Sequence, residues 1–202
     1  MADKYESFAA LAAREMIGRD YCVRAVERTD SPVLILAPHG GTIEVGTSEL
    51  AELIAGSDHS LFIFEGLKPD GANRELHITS HRFDHPACLA LSCARPVTIA
   101  VHGCSGESQV FVGGLDTQLT EFLAQELSST GLSTRVDGHR YPGRHPLNIC
   151  NRNAKGRGAQ LEFTHDLRTG PGRIRIASSV RAGLAAYLRV SASRGASRPV
   201  EC

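Results

Sequence analysis

The sequence has no excess of charge of either sign and no long hydrophobic run. Its 22 basic residues balance its 22 acidic residues, and the isoelectric point is about 7.1. A protein that coats nucleic acid, or that binds membranes through basic residues, would be far more basic. No apolar run approaches the roughly 20 residues that a membrane-spanning helix needs. The composition therefore predicts a protein that binds neither nucleic acid nor a membrane.

The sequence also lacks closely spaced cysteines and an apolar leader. Its six cysteines, at positions 22, 88, 93, 104, 150 and 202, form no Cys-x-x-Cys pair, which disfavours a structural zinc knuckle. The first 16 residues, MADKYESFAALAAREM, mix acidic and basic residues and lack the apolar core of a signal peptide. We therefore expect a protein that folds in the cytoplasm, where thiols stay reduced, and that lysis could release.

The rest of the composition is that of an ordinary globular domain. Of the 202 residues, 42% are hydrophobic and 22% are charged, which excludes a disordered or fibrous protein. Neither an internal repeat nor a linker divides the chain. We predict one domain over residues 1–190, followed by a frayed tail over residues 191–202, SASRGASRPVEC.

Apolar and β-branched runs alternate with helical spacing along the chain. The predicted strands are Tyr21–Glu27, Pro32–Ala37, Ser60–Glu65, Glu75–Thr79, Val97–His102, Thr134–Asp137 and Ala159–Thr164. The predicted helices begin after Thr42, span Pro86–Cys93 and Asp116–Ser128, and surround Val180, Leu184 and Leu188. This alternation predicts a single α/β domain with an open, mixed, mostly parallel sheet flanked by helices.

Three potential metal ligands follow two strands that are almost wholly apolar. His39 and Glu44 follow Val33–Ala37, with Glu44 expected in the first turn of the next helix, and His102 follows Val97–Val101. In such folds ligands bind outside the carboxyl ends of the strands. Two histidines and one carboxylate, with a fourth position left open, form a common catalytic zinc set. The alternative is that both histidines are turn residues with satisfied hydrogen bonds.

Glu162 is a carboxylate within an apolar strand. Leu161 and Phe163 should face the core, so Glu162 lies on the opposite face, which is also covered if the strand is central. A covered carboxylate is costly unless it is paired, linked to a metal or tuned for proton transfer. As a general base, Glu162 would deprotonate a water activated by the metal. The alternative is an edge strand with Glu162 in solvent.

Several segments resemble, in order and spacing, the phage-type poly-γ-glutamate hydrolases. They are APHGGTIEVGTSEL, LHITSHRFDHP, the pair VHG and GGLDTQL, and GAQLEF, and they cover roughly Ser31 to Thr164. The resemblance implies a fold similar to that of zinc carboxypeptidases and hydrolysis of the γ-linked amide backbone of poly-γ-glutamate. It also implies one zinc per chain held by His39, Glu44 and His102, with Glu162 as the catalytic carboxylate.

Arginines in the loops between these segments are candidate ligands for substrate carboxylates. All but three of the 22 basic residues are arginine, whose planar guanidinium suits bidentate carboxylate binding. We select Arg74 and Arg152, because each follows an asparagine in a pattern that loosely resembles the carboxylate clamp of zinc carboxypeptidases. His77 is added because it lies in the segment LHITS, which resembles the family.

The sequence thus predicts a zinc-dependent amidohydrolase that cleaves γ-glutamyl amide bonds of a polyanionic substrate, poly-γ-glutamate, with Glu162 as general base. One alternative is a zinc hydrolase of another acidic peptide or of a cell-wall amide. A second alternative is a non-catalytic module that binds polyanions through arginine-rich loops. Zinc content separates this module from the two hydrolases.

Overall fold

Seven strands form one sheet in the computed structural model, which describes residues 3–69 and 71–196, apart from the side chains of residues 194–196. The strands are β1 Tyr21–Val26, β2 Val33–Gly41, β3 Ser60–Gly66, β4 Val97–Cys104, β5 Gln109–Gly114, β6 Ser133–Arg135 and β7 Ala159–Thr164. Their order in the sheet is β1-β3-β2-β4-β7-β5-β6. The four inner strands from β3 to β7 are parallel, whereas β1 and β5 run antiparallel to their inner neighbours and β6 runs parallel to β5. The predicted open, mixed, mostly parallel sheet is confirmed.

Among the described residues, six α-helices and two short 3-10 turns accompany the sheet. The helices are α1 Phe8–Ala12, α2 Thr47–Ala55, α3 Pro86–Cys93, α4 Thr117–Ser129, α5 His165–Thr169 and α6 Arg173–Ala196, and the 3-10 turns are Ala72–Leu76 and Ile149–Asn151. Asp116 caps α4 by accepting a hydrogen bond from Leu119 N, and Gly131 follows the helix with a φ of 83°. No helix among the described residues is long and apolar enough to cross a membrane.

The central strands are buried on both faces, as their apolar runs predict. In β2, Val33 through Gly40 are all buried. Ile35 belongs to the core formed with α2, α4 and α6, whereas Leu34 and Leu36 belong to the core on the opposite face. This division follows from the two-residue periodicity of a strand. The sheet is therefore the middle layer between two hydrophobic cores.

The structure corrects two predicted elements near the site. The segment predicted as strand Glu75–Thr79 begins instead as a 3-10 turn that Gly71 opens with a φ of 80°. The buried Asn73 side chain stabilises that turn by accepting from Lys68 N at 2.8 Å, so a local hydrogen bond competes with the strand. Helix α2 begins at Thr47, not after Thr42, because Gly46 adopts a φ of 90° immediately before it.

Several further elements differ from the sequence prediction, among them the short helices α1 and α5, which were not predicted. Strand β5 was not predicted, because Gly113 and Gly114 weaken the strand pattern of its apolar residues. Those glycines allow a neighbouring backbone segment to pack closely against the strand, since a Cβ at Gly113 would lie 2.5 Å from Pro142 O. Helix α6 continues through Ala196, five residues past the start of the predicted tail, since small and straight-chain residues prolong a helix that is already formed. Residues 197–202 of that tail lie outside the described residues.

Two leucines of α2 differ in burial, and their substitution tests how strongly the helix is packed against the sheet. Leu50 is fully buried and Leu53 is 36% exposed. We predict that Leu50→Ala lowers the free energy of unfolding by about 2–5 kcal/mol, because it leaves a cavity in the core. Leu53→Ala, which changes helix propensity equally, should lower it by about 1 kcal/mol or less. Denaturant unfolding of the two variants measures the difference, and equal losses would contradict this packing.

Candidate metal centre and catalytic cleft

A cavity of about 380 Å³ opens at the carboxyl ends of β2, β4 and β7. It is therefore at the edge of the sheet where parallel strands of an α/β fold present their ligands. Its polar lining consists of His39, Glu44, His77, Thr79, Ser80, His81, His102, Arg140, Tyr141, Arg144, His145, Asn148, Gln160 and Glu162. Four histidines besides His39 reach this one cavity, which makes it a candidate for metal and proton chemistry.

His39 is aimed into the cavity by an irregularity in β2. One extra residue separates Ala37 from Gly40 in the pairing of β2 with β3. The bulge contains Pro38, which has no N–H for the ladder. The His39 ring is buried, and its Nε2 lies 2.9 Å from Ile78 O. Because a carbonyl only accepts, Nε2 carries the proton, and in the neutral ring Nδ1 is left as an acceptor or metal ligand.

Glu44 lies in the turn between β2 and α2, not in the first helical turn as predicted. The turn is folded back onto the strand, since Glu44 N donates to His39 O at 3.0 Å. Its Oε2 accepts a hydrogen bond from Gly103 N at 2.7 Å. Gly103 directly follows His102, so this contact joins the Glu44 turn to the end of β4.

Three potential ligands, His39, Glu44 and His102, lie close together, with both oxygens of Glu44 facing the imidazoles. Nδ1 of His39 lies 3.1 Å from Glu44 Oε1 and 3.2 Å from Nδ1 of His102, and Nδ1 of His102 lies 3.8 Å from Glu44 Oε2. Ligand atoms on one tetrahedral zinc are roughly 3.3 Å apart when the bonds are about 2.0–2.1 Å. The donor set and its spacing therefore fit a zinc ion.

Burial and mutual charge set the protonation of these groups. Burial disfavours the charge of Glu44, but the neighbouring His39 and His102 and the Gly103 N–H outweigh it and lower the pKa of this carboxyl. Burial also disfavours a charged His39 ring, yet Glu44 outweighs it and raises the pKa of His39. For His102, burial and the His39 charge lower the pKa to about 3. His102 is thus a neutral imidazole at physiological pH, which is the form that binds metal.

Glu162 lies on an inner strand, which excludes the alternative of an edge strand in solvent. β7 lies between β4 and β5, and Glu162 pairs with His102 in the register of β4 and β7. The side chain is buried, and its Oε1 accepts from Gln160 Nε2 at 3.0 Å. Burial and then the charge of Glu44 raise the pKa of Glu162. A buried carboxyl with a raised pKa beside potential metal ligands is typical of a proton-transfer group.

His77 joins this group from the segment after the first 3-10 turn. Its ring stacks on that of His39 with centroids 4.1 Å apart, and its Nδ1 donates to Asp3 Oδ1 at 2.7 Å. A nitrogen of His77 lies within 4.8 Å of ligand atoms of His39 and Glu44. Either His77 or His102 could therefore complete a metal site with His39 and Glu44.

Arg74 and Arg152 are not brought to this cavity. Neither is among the described residues that line it. Arg74 is exposed on the first 3-10 turn, and Arg152 O contacts Cys93 near the amino end of β4. The side chain of Asn151, which precedes Arg152, fixes the neighbouring backbone, because its Oδ1 accepts a hydrogen bond from Gly158 N at 3.0 Å. In both Asn-Arg pairs the asparagine side chain accepts a hydrogen bond from a backbone N–H group, as at Asn73, and the arginine lies outside the described lining of the cavity.

The arginines of the cavity come from residues 139–145, HRYPGRH, and not from the two positions selected from the sequence. Arg140 and Arg144 line the cavity together with Tyr141. Arg140 is held in place, since Nε donates to Tyr141 Oη and Nη2 donates to Ser105 Oγ, both at 2.8 Å. The loop is fixed to the sheet because Gly114 N donates to Pro142 O. The density of arginine, histidine and tyrosine in HRYPGRH was the sequence feature that could have revealed this wall.

Known proteins resemble this chain in sequence. The sequence model of the Poly-gamma-glutamate hydrolase family matches residues 5–171. The SPbeta prophage-derived protein YoqZ of Bacillus subtilis (strain 168) is 40% identical over 170 residues, which are 83% of this chain and 61% of YoqZ. YndL of the same organism is 38% identical over 170 residues, which are 82% of this chain and 66% of YndL. The chain thus spans less than two thirds of the length of these two relatives.

Solved structures share the fold. A bacteriophage poly-gamma-glutamate hydrolase superposes with a TM-score of 0.88 at 29% identity, covering 94% of this chain and 100% of that chain. A zinc-free apo structure of YndL gives a TM-score of 0.82 at 33% identity, with 94% and 99% covered. A candidate carboxypeptidase A from Shewanella denitrificans OS-217 gives a TM-score of 0.52 at 12% identity, with 84% and 61% covered. This last likeness concerns the fold alone and confirms the expected carboxypeptidase-like architecture.

Proposed function

The chain belongs to the poly-gamma-glutamate hydrolase family, and from that membership and the geometry of the cleft we propose that it is a zinc-dependent amidohydrolase of γ-glutamyl amide bonds, with poly-γ-glutamate as its substrate. One observation carries the proposal: Nδ1 of His39 lies 3.1 Å from one carboxylate oxygen of Glu44 and 3.2 Å from Nδ1 of His102, which lies 3.8 Å from the other Glu44 oxygen, and His102 pairs in the sheet with the buried Glu162. A binding module for polyanions has no need of this buried and costly cluster.

His102, not His77, completes the proposed metal site. Its Nδ1 lies 3.2 Å from Nδ1 of His39, its ring is buried, and its depressed pKa keeps it neutral. The His77 side chain is 36% exposed and is oriented by Asp3, which suits contact with substrate. Zinc, when bound, supplies a Lewis acid that polarises the scissile carbonyl and lowers the pKa of the attacking water. The zinc-free state of the solved YndL structure supports the choice of metal.

Glu162 is the proposed general base. It takes a proton from the attacking water and delivers it to the leaving nitrogen. The hydrogen bond from Gln160 to Oε1 fixes the carboxyl in the cleft. The raised pKa of Glu162 suits a group that both accepts and donates a proton.

Arg140 is the proposed arginine of the substrate cleft, in place of Arg74 and Arg152. Its guanidinium lies 5.0 Å from the centroid of the Tyr141 ring, which orients it further. Its charge acts to lower the pKa of Glu162, against the larger effect of burial, so it lies within electrostatic reach of the reacting groups. It could bind a substrate carboxylate or stabilise the oxyanion that develops during attack. Arg144 provides a second cation on the same wall.

Digestion of two polymers tests the proposed function. The chain should shorten poly-γ-glutamate and leave α-linked polyglutamate intact, and a chelator should stop cleavage until zinc is restored. Sizing of the products measures this. Absence of cleavage by the zinc-loaded chain would overturn the proposal, whereas equal cleavage of both polymers would overturn only the substrate assignment.

The metal ligands generate a prediction about zinc content. The purified chain should bind close to one zinc, and His102→Ala or His39→Ala should lower occupancy strongly because each removes one of three protein ligands. The matched variant His77→Ala should keep zinc. Elemental analysis after dialysis measures occupancy. Zinc lost in His77→Ala but kept in His102→Ala would assign the third ligand to His77.

The role of Glu162 generates a second prediction. Glu162→Gln preserves size and the hydrogen bond from Gln160 but removes the base, so kcat should fall by at least ~10²-fold with zinc content unchanged. Glu49→Gln, exposed on α2 and outside the described lining of the cavity, should keep kcat within about twofold as a surface control. Steady-state kinetics on poly-γ-glutamate measure both. Retention of half the activity in Glu162→Gln would make Glu162 a structural residue.

The arginine wall generates a third prediction. The chain has no net charge, so attraction for a polyanion must come from local cations, and KM should rise with salt because exposed charges are screened over about 8 Å at physiological ionic strength. Arg140→Ala should raise KM and flatten this salt dependence. The exposed Arg74→Ala should change neither. Kinetics at low and high salt measure the slopes, and identical slopes in the wild type and Arg140→Ala would exclude Arg140 from the cleft.

A further inference from the structure

A single buried arginine lies beneath the cleft. Arg168 belongs to α5, directly after β7, and is 7% exposed. Its Nε donates to Val45 O at 2.6 Å, and its Nη1 donates to Cys104 O at 3.1 Å and to Phe163 O at 2.8 Å. The side chain is outside the described lining of the cavity, so it does not face substrate.

The three carbonyls belong to the three segments that carry the proposed reacting groups. Val45 directly follows Glu44, Phe163 directly follows Glu162, and Cys104 is two residues after His102. These segments are far apart in sequence, and one guanidinium joins them. Its planar, rigid arrangement of donors can hold several acceptors in fixed directions, which a flexible ammonium cannot do.

Two glycines make room for Arg168. A Cβ at Gly103 would lie 2.7 Å from the guanidinium carbon of Arg168, and a Cβ at Gly46 would lie 2.7 Å from Arg168 O. Gly103 also donates its N–H to Glu44 Oε2, so the guanidinium lies immediately beneath the contact that joins the Glu44 turn to β4. Real Cβ atoms do not approach so closely without displacement of their neighbours.

The charge of Arg168 is also placed among carboxylates. The three hydrogen bonds named above all go to neutral carbonyls, and burial of a charge with such partners alone is costly. Burial lowers the pKa of Arg168, whereas the charges of Glu44 and Glu162 act in the opposite direction. Its position is thus favoured by the same carboxylates whose segments it joins.

We propose that Arg168 is a positioning residue, which docks the Glu44 turn against the ends of β4 and β7 and so holds Glu44, His102 and Glu162 in their working arrangement. The inference rests on the proposed function for its catalytic consequence. The docking itself is a property of the metal-free chain.

The variant Arg168→Lys keeps the charge but cannot reach three carbonyls at once. Loss of a residue that orients metal ligands typically lowers metal affinity or activity by 10–100-fold. We expect a loss of about this size in both zinc affinity and kcat for Arg168→Lys, with KM changed by less than about twofold. Competition with a chelating dye and steady-state kinetics measure these quantities.

Arg95 provides a matched control. It is likewise buried, at 6% exposure, and its Nη2 lies 3.3 Å from Arg28 O, but it lies before the amino end of β4, away from the cleft. Arg95→Lys should lower the Tm and leave zinc affinity and kcat unchanged. If Arg168→Lys likewise lowers only the Tm, with zinc affinity and kcat within about twofold of wild type, the inference is overturned.

Hydrogen exchange in the metal-free chain separates this inference from the proposed function. The Gly103 amide, which donates to Glu44, should exchange about tenfold faster or more in Arg168→Lys and at the wild-type rate in Arg95→Lys. Unchanged exchange at Gly103 overturns the docking role whether or not the chain binds zinc. A wild-type chain that shows this docking but neither binds zinc nor cleaves poly-γ-glutamate would overturn the proposed function alone.

The wild-type chain gives a further readout in case Arg168→Lys does not fold. In an NMR spectrum the Arg168 Nε–H signal should shift when zinc is added, because its acceptor, Val45 O, adjoins Glu44. The Arg95 Nε–H signal should not shift. An Arg168 signal that stays unchanged at saturating zinc overturns the inference.

Discussion

Negative charge buried at the floor of the cleft is the constraint on which the rest of this structure depends. Glu162 is buried and the Glu44 side chain is only 15% exposed, and their charges oppose each other, since the charge of Glu44 helps to raise the pKa of Glu162. Such an arrangement is stable only with compensating positive charge and hydrogen bonds. His39, the Gly103 N–H and Arg168 provide part of this compensation. A divalent cation between the two imidazoles and Glu44 would supply more.

The fold produces this constraint because its inner strands are covered on both faces. Parallel strands β2, β4 and β7 bring their carboxyl ends to one edge of the sheet, and each delivers a reacting group there or just beyond it. The bulge at Pro38 turns the His39 ring inward, and glycine at 103 lets the chain pack closely around Arg168. Since His39, His102 and Glu162 are buried, electrostatic interactions among them are stronger than they would be in water.

The sequence was sufficient for the features that follow from local patterns. Apolar runs predicted the inner strands, and one carboxylate within such a run, Glu162, predicted a buried acid. Features that depend on tertiary contacts were missed. Gly46, with its left-handed backbone, places Glu44 in a turn and not in a helix, and Arg140 reaches the cleft only because its loop is tied to β5 at Gly114. Arg74 and Arg152 lie outside the described lining of the cleft, so a role for them in substrate binding stays a prediction from the sequence.

Proton release on metal binding tests most directly whether a bound cation compensates the carboxylates of this cleft. Calorimetric titration of the metal-free chain with zinc at pH 7, in buffers that differ in ionisation enthalpy, counts the protons released. Since Glu44 raises the pKa of His39 and a bound imidazole must give up its proton, the account predicts that zinc binding releases protons and weakens as the pH is lowered. Binding without proton release, or no binding, would contradict it.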